Sequence, residues 1–151
     1  LMHENKNVYF KCVSMPVDYY LPRKRTIVTD GAYGRQWVTD LFPTLNFDIS
    51  IAPLLQTIFA DGKSNIKWLE STRMGAAFVA SNVGPYKDLP NAVTVPNTEE
   101  AWYKALKELV EDKKKRLTLV ESAKEEVQNN WMLEDNWQKY WDLFTRIANE
   151  K

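Results

Sequence analysis

Short apolar segments alternate with longer, more polar stretches along the first two thirds of the chain. Runs rich in β-branched and aromatic residues predict strands. The predicted strands cover residues 7–14, 25–30, 47–54, 76–81 and 91–96, and a loop with two prolines, residues 15–24, separates the first two. The third run is almost continuously apolar, which is typical of a strand buried in a parallel sheet.

Helix-forming stretches lie between these strands. A short helix is predicted over residues 33–42, where Pro43 ends it because its ring blocks the next turn. After a loop over residues 55–62, a second helix is predicted over residues 63–74, and Gly75 stands where a helix-ending glycine belongs.

Three further helices are predicted at the C-terminal end. The first opens on an Asn97…Glu100 capping pattern, and the others cover residues 113–129 and 133–149. The alternation of strands and helices predicts an α/β fold, a parallel sheet flanked by helices and closed by these C-terminal ones. Ligands of open parallel sheets lie at the carboxyl ends of the strands, so we expect chemistry in the loops after residues 54 and 81.

Composition narrows the possible partners. The 151 residues suit one domain, and 20 acidic residues balance 20 basic ones, which argues against a general attraction to nucleic acid or to anionic membranes. The single cysteine, Cys12, and the single histidine, His3, cannot build a typical zinc site, and we expect no metal. No apolar run reaches about 18 residues and the first residues lack a signal-peptide layout, so we expect a cytoplasmic location.

The stretch DGKSNIKWLES carries the candidate chemistry. Its Gly-Lys-Ser matches the end of a phosphate-binding P-loop, but the position five residues before Gly62 is Thr57 rather than glycine. Thr cannot adopt the tight turn cheaply, which disfavours an ATPase site.

On a helix over residues 63–74, the side chains of Lys63, Lys67 and Glu70 share one stripe, while Ile66 and Leu69 lie on an adjacent face that can enter the core. Two ammonium groups near a helix N-terminus suit a diphosphate, and a carboxylate can accept hydrogen bonds from a ribose diol. The alternative is that the stripe is a solvated charge pair with no ligand.

A longer pattern extends these observations. The segment FDISIAPLLQTIFADGKSNIKWLESTRMGAAFVASNVGPYKDL resembles the nucleotide-sugar-binding half of GT-B-fold glycosyltransferases. In that family a strand of the type D-I-x-I-A-P-L leads to F-N-x-x-K-S-x-x-K-x-L-E and then to G-x-P-V-V-A-S-x-V-x-x-Y. The resemblance runs from about residue 7 to the C-terminus. It implies a single Rossmann-like donor domain over residues 1–151 that lacks the first strand and helix of the family domain.

The resemblance also implies roles for particular residues. Glu70 corresponds to the glutamate that binds the ribose hydroxyls, and Lys63 and Lys67 occupy basic positions near the diphosphate of a nucleotide-sugar. Gly84 and Tyr86 lie in a loop close to the phosphate or the sugar, although Tyr86 is equally suited to packing its turn.

The chain departs from the family pattern at several positions. Many members have a glutamate eight residues before the position of Glu70, where this chain has Gly62 with Asp61 beside it, so Asp61 is a weaker candidate for the sugar. Ala76 and Ala77 stand where the family has a proline after its glycine.

The resemblance further implies that the acceptor-binding domain is missing and that this chain is part of a two-domain enzyme, incomplete for catalysis by itself. The full-length enzyme could then be peripheral to a membrane. No catalytic residue is assigned, because a general base would come from the missing domain. The other hypothesis is a non-catalytic α/β interaction module that keeps the fold without a working nucleotide site.

One face of the last predicted helix is strongly apolar. Its members are Leu133, Trp137, Trp141, Phe144 and Ala148. Core packing is the default interpretation of such a stripe. Without an acceptor domain the stripe would be partly bare, and a bare apolar patch favours self-association.

Overall fold

The computed structural model describes residues 1–13, 25–29, 31–32 and 34–150. The predicted loop over residues 15–24 lies outside the described residues. So do the end residues of the first two predicted strands, Ser14 and Asp30, and the first residue of the first predicted helix, Tyr33.

The described residues form two small parallel sheets. Strand β1 (Phe10–Val13) pairs with β2 (Thr26–Thr29). The larger sheet has the order β3-β4-β5, made by β3 (Ile49–Ala52), β4 (Ala77–Ser81) and β5 (Val93–Val95). Each strand lies within a predicted run, and the α/β fold with parallel pairing is confirmed, with the strands divided between two sheets.

The helical segments before β4 differ from the prediction. A π-helix (Trp37–Leu41) and a 3-10 helix (Phe42–Thr44) replace the first predicted helix, and Pro43 lies inside the second of them instead of ending the first. Helix α1 (Ile58–Asp61) forms inside the predicted loop, and helix α2 (Ile66–Met74) begins three residues later than expected.

Helix α2 ends as predicted and buries part of the expected face. Gly75 has φ of 74°, and its N–H donates to the carbonyls of Ser71 and Thr72, which confirms the helix-ending role. Leu69 packs against the core as expected, next to the fully buried Trp68. Ile66 is 54% exposed, so the expectation that Ile66 enters the core is wrong.

The remaining elements are a 3-10 helix (Gly84–Tyr86) after β4 and three long helices, α3 (Glu99–Glu111), α4 (Lys113–Asn130) and α5 (Leu133–Asn149). Helix α3 begins one residue later than its capping pattern suggests. Thr98 is the cap, since its hydroxyl accepts the N–H of Ala101.

Strand β4 is the centre of the core, because all five of its residues are buried. Ala77 and Val79 face one apolar cluster with Leu109 of α3, while Phe78 and Ala80 face another with Trp68 of α2. Helix α4 reaches both clusters through Val120 and Ala123. Each large apolar side chain buried in this way contributes about 1.5–3 kcal/mol.

Helix α5 has no buried residue in the described structure. Core packing of its apolar stripe is therefore wrong within this chain, and the stripe is bare. Leu133 is 67% exposed and Phe144 is 64% exposed.

The carboxyl ends of the three strands of the larger sheet are held together by side-chain hydrogen bonds. Ser81, fully buried at the end of β4, accepts the N–H of Leu54 at 2.8 Å and donates to Asn97 Oδ1 at 2.6 Å. Asn97 Nδ2 donates to the carbonyl of Leu54 at 2.8 Å. Leu54 follows β3 and Asn97 follows β5, so Asn97 is used to join strand ends rather than to cap α3.

Replacing Ser81 and Asn97 tests this network. Ser81→Ala leaves the N–H of Leu54 without its acceptor and should lower the free energy of unfolding by about 1–3 kcal/mol. Asn97→Ala breaks the other side of the same network. We therefore expect the double variant to lose at least about 0.5 kcal/mol less than the sum of the single losses, measured by urea denaturation.

Thr98→Ala is the matched control. It removes a helix cap worth about 1 kcal/mol next to Asn97 without touching the network. Its loss should add to that of Ser81→Ala. Additive losses for Ser81→Ala and Asn97→Ala would contradict the network.

Candidate functional site

Glu70 lies at the centre of a small polar cluster. Its Oε1 accepts Trp37 Nε1 at 3.2 Å, and its Oε2 is 3.0 Å from Lys67 Nζ. The Lys67 ammonium also lies 5.6 Å from the centre of the Trp37 ring. We call these three residues the Glu70 cluster.

The Glu70 cluster can accept further hydrogen bonds. The Glu70 side chain is 22% exposed, so solvent or a ligand reaches it. A carboxylate has about four acceptor positions, and Trp37 and Lys67 each use one. The two remaining positions can accept two ligand hydroxyls, while Lys67 balances the carboxylate charge.

Local structure explains how α2 places this cluster. Lys67 and Glu70 are one turn apart and therefore adjacent on the helix surface. Ser71 fixes the buried side of the helix, since its hydroxyl lies 2.8 Å from the Ser50 hydroxyl of β3. Trp37 comes from the π-helix and reaches the exposed side of the same turn.

Lys63 does not belong to the helical stripe that its spacing predicts. Helix α2 begins at Ile66, and Lys63 lies in the turn after α1, where its N–H donates to the Ala60 carbonyl at 3.1 Å. Its ammonium lies 4.7 Å from the centre of the Phe59 ring. The prediction fails because Thr57 starts a separate helix, its hydroxyl accepting the N–H of Ala60 at 3.1 Å.

Asp61 and Gly84 are neighbours where α1 meets the loop after β4. Asp61 Oδ1 accepts Gln56 Nε2 at 3.1 Å. A Cβ added to Gly84 would lie 2.5 Å from the Ala60 carbonyl oxygen and 3.6 Å from the Asp61 nitrogen. Gly84 also has φ of 53°. The structure thus gives Gly84 a packing role, whether or not a ligand lies near it.

Tyr86 lies mostly inside the core. It is 5% exposed, and its ring meets that of Phe78 edge-on with the centroids 5.4 Å apart. Burial, and secondarily the negative charge of Glu70, raise the pKa of Tyr86 above its ordinary value of 10.0. Packing of the turn is the role that these contacts support.

The contacts place the candidate residues in separate groups, and only the charge of Glu70 links two of these groups. Lys67 and Glu70 form the cluster, the Glu70 charge acts on Tyr86, and the 3-10 helix that holds Tyr86 begins at Gly84 beside Asp61. Lys63 follows Asp61 closely in the chain but has its ammonium on Phe59.

Sequence reasoning missed Trp37. It is separated from Glu70 by 33 positions, so no local spacing joins them. One signal in the sequence could have pointed to this contact, namely a tryptophan in a short predicted helix. Both the ring and the N–H of a tryptophan usually find partners.

No group of three or more side chains suited to holding a metal ion occurs among the residues that the structure describes. In the same residues, no helix combines the length and the apolar character needed to cross a bilayer.

Comparison of the chain with protein-family models, with curated proteins and with solved structures finds no match in any of the three. The glycosyltransferase resemblance therefore stays a prediction from the sequence.

Gly84→Ala should destabilise the free protein strongly. A left-handed backbone costs about 1–2 kcal/mol for a residue with a Cβ, and overpacking against the Ala60 carbonyl adds about 1–3 kcal/mol. We expect a loss of about 3 kcal/mol in urea denaturation. The control is Gly75→Ala, at φ of 74° with nothing within 4 Å of the added Cβ, which should lose only the backbone cost of about 1–2 kcal/mol. Equal losses of unfolding free energy in the two variants would show that the approach of the added Cβ to the Ala60 carbonyl does not matter.

Glu70→Gln should lower the pKa of Tyr86, because it removes the nearby negative charge while leaving the burial. A raised pKa stabilises the fold below pH 10, and this contribution is lost as the pH rises through the folded-state value. Tyr86→Phe should therefore flatten the fall in stability above pH 10. Tyrosine Cζ chemical shifts measure the pKa directly.

Tyr103 provides the internal reference, since its pKa is raised mainly by its hydrogen bond to Glu4. Its titration should not respond to Glu70→Gln. An unchanged Tyr86 titration would mean that Glu70 does not act on it.

Proposed function

We propose that this chain binds the nucleotide-sugar donor of a glycosyltransferase, with Glu70 accepting the ribose hydroxyls. The observation that carries the proposal is the partly exposed Glu70 carboxylate, held by Trp37 and Lys67 with acceptor capacity left over. A vicinal diol supplies two donors on adjacent carbons, which suits the two oxygens of one carboxylate.

Lys67 supports the diphosphate part of the proposal. It is 59% exposed and already lies beside the carboxylate, so a nucleotide whose ribose meets Glu70 brings its phosphates close to this ammonium. Lys63 is retained for the diphosphate on the resemblance alone, because the helical stripe that supported it does not form.

In the proposed reaction, the bond between the anomeric carbon and the diphosphate oxygen breaks, and its electron pair leaves with the diphosphate. Positive charge near the departing oxygens lowers the barrier by stabilising that charge. The anomeric carbon forms its new bond to the hydroxyl oxygen of an acceptor substrate, and the hydroxyl proton passes to a general base. The acceptor site and the base are expected in a second domain, so binding, not turnover, is the activity proposed for this chain.

An interaction module without a nucleotide site is the second candidate. The observation that favours it is that both Glu70 oxygens already have partners in the chain, as a purely structural cluster also requires. The two candidate functions differ in whether the Glu70 carboxylate binds the ribose hydroxyls of a nucleotide.

Thermal unfolding with about 1 mM UDP, GDP, ADP or CMP separates them. A ligand present at about 100 times its Kd adds about 2.7 kcal/mol, which raises the Tm of a chain of this size by about 5–10 °C. We expect one nucleotide to do so. Glu70→Ala should weaken it at least about tenfold and remove about 3–5 °C of the shift, since two hydrogen bonds to a charged group are lost.

Two controls make the result specific. Glu121→Ala removes the carboxylate of a similar one-turn ion pair, with Lys124 at 2.8 Å on α4, and should leave the shift intact. The 2′,3′-dideoxy form of the responding nucleotide should bind the wild type and Glu70→Ala equally. Absence of any shift across the four nucleotides contradicts the donor-site proposal.

A further inference from the structure

The apolar face of α5 is uncovered along the whole helix. At 100° per residue its members span about 120° of the helix surface. They are Leu133, Trp137, Tyr140, Trp141, Phe144, Ile147 and Ala148. The six larger ones are between 51% and 67% exposed. An apolar patch of this kind on a folded chain marks an interaction surface.

The start of α5 is fixed to the domain, so the face is presented in a defined place. Trp131, just before the helix, packs edge-on against the buried Trp68 with ring centroids 5.6 Å apart. Asn136 Nδ2 donates to the carbonyls of Asn130 at 3.0 Å and Met132 at 2.8 Å. These bonds tie the first turn of α5 to the end of α4.

The charges of α5 argue against a lipid surface as the partner. The helix carries three acidic residues, Glu134, Asp135 and Asp142, and two basic ones, Lys139 and Arg146. Helices that lie on membranes are rich in Lys and Arg on their polar face. With only two basic residues, α5 lacks such a polar face, so its apolar face is better suited to an apolar protein surface.

The spacing of the face fits a second helix of the same pattern. Leu133, Trp137, Tyr140, Phe144 and Ile147 follow each other at intervals of four, three, four and three residues. Helices with this spacing pack side by side, each side chain entering a space between side chains of the other. Among the residues of α5, Glu134 is the only charged one beside the face, so two identical helices meet with little repulsion.

The available area is in the range of a modest dimer. Aromatic side chains bury about 150–250 Å² each, so the four exposed aromatic residues alone offer roughly 450 Å² per copy. The aliphatic members bring this to about 600 Å², or about 1,200 Å² for two copies, which reaches the lower limit of specific interfaces.

We propose that two copies of this chain associate through their α5 faces. This pairing does not depend on the nucleotide site. We expect a weak association, with a dissociation constant in roughly the micromolar range, so that the dimer fraction varies with protein concentration.

Sedimentation velocity of the full chain from about 1 to about 200 µM tests the proposal. The weight-average mass should rise from 17.6 kDa toward twice that value. Phe144→Lys places a charge at the centre of the face and should raise the dissociation constant at least about tenfold. Because Phe144 is exposed within the single copy, the variant should keep the far-ultraviolet circular dichroism of the wild type.

Thr145→Lys is the matched control, with the same added charge one residue along and 100° around the helix. It should dimerise like the wild type. A monomer at every concentration overturns the proposal, as does a dimer that Phe144→Lys leaves unchanged. Co-sedimentation of monomers with phosphatidylcholine–phosphatidylglycerol vesicles would instead identify a lipid surface as the occupant.

Discussion

The hydroxyl of Ser81 holds together the edge of the larger sheet at which its three strands end. It is buried at the end of the central strand, where it accepts the N–H of Leu54 and donates to Asn97 Oδ1. One small side chain thereby fixes the points at which the chain leaves three parallel strands. The loops that carry Asp61, Gly84 and Tyr86 begin close to these points, so their placement follows from a hydrogen-bonded edge as much as from the apolar core.

Much of the fold follows from patterns that are local in the sequence. The strand pattern of β4, the helix-ending Gly75 and the amphipathic periodicity of α3 depend on neighbours a few residues away, and each is present as expected. The almost continuously apolar run of residues 47–54 also forms a strand, β3, but its expected burial is wrong, since none of the strand's residues is fully buried and Ile51 is 40% exposed. The predictions are wrong where two neighbouring residues or segments could each form the same local structure. Asn97 and Thr98 are both good helix caps, and the buried Ser81 decides between them by engaging Asn97 elsewhere.

The candidate site could be predicted only in part for the same reason. The Lys67–Glu70 pair is a one-turn contact and was readable from spacing. Lys63 was misplaced because Thr57 nucleates a short helix that shifts the start of α2. Trp37 was missed because its contact with Glu70 joins distant segments, and no periodicity encodes such a contact.

The number of residues between Trp37 and Phe42 matters for the structure, because the segment between them forms a π-helix. In an α-helix, residues five positions apart point about 140° away from each other. The wider turn instead brings the rings of Trp37 and Phe42 to within 5.8 Å, and both lie against cations of α2, Lys67 and Arg73 respectively. Loss of any single residue between these two rings would leave them four positions apart, which an ordinary α-helical turn also places on one face, about 40° from each other. The π-helix thus lets a segment with one residue more than an α-helical turn keep both rings on the side that meets α2.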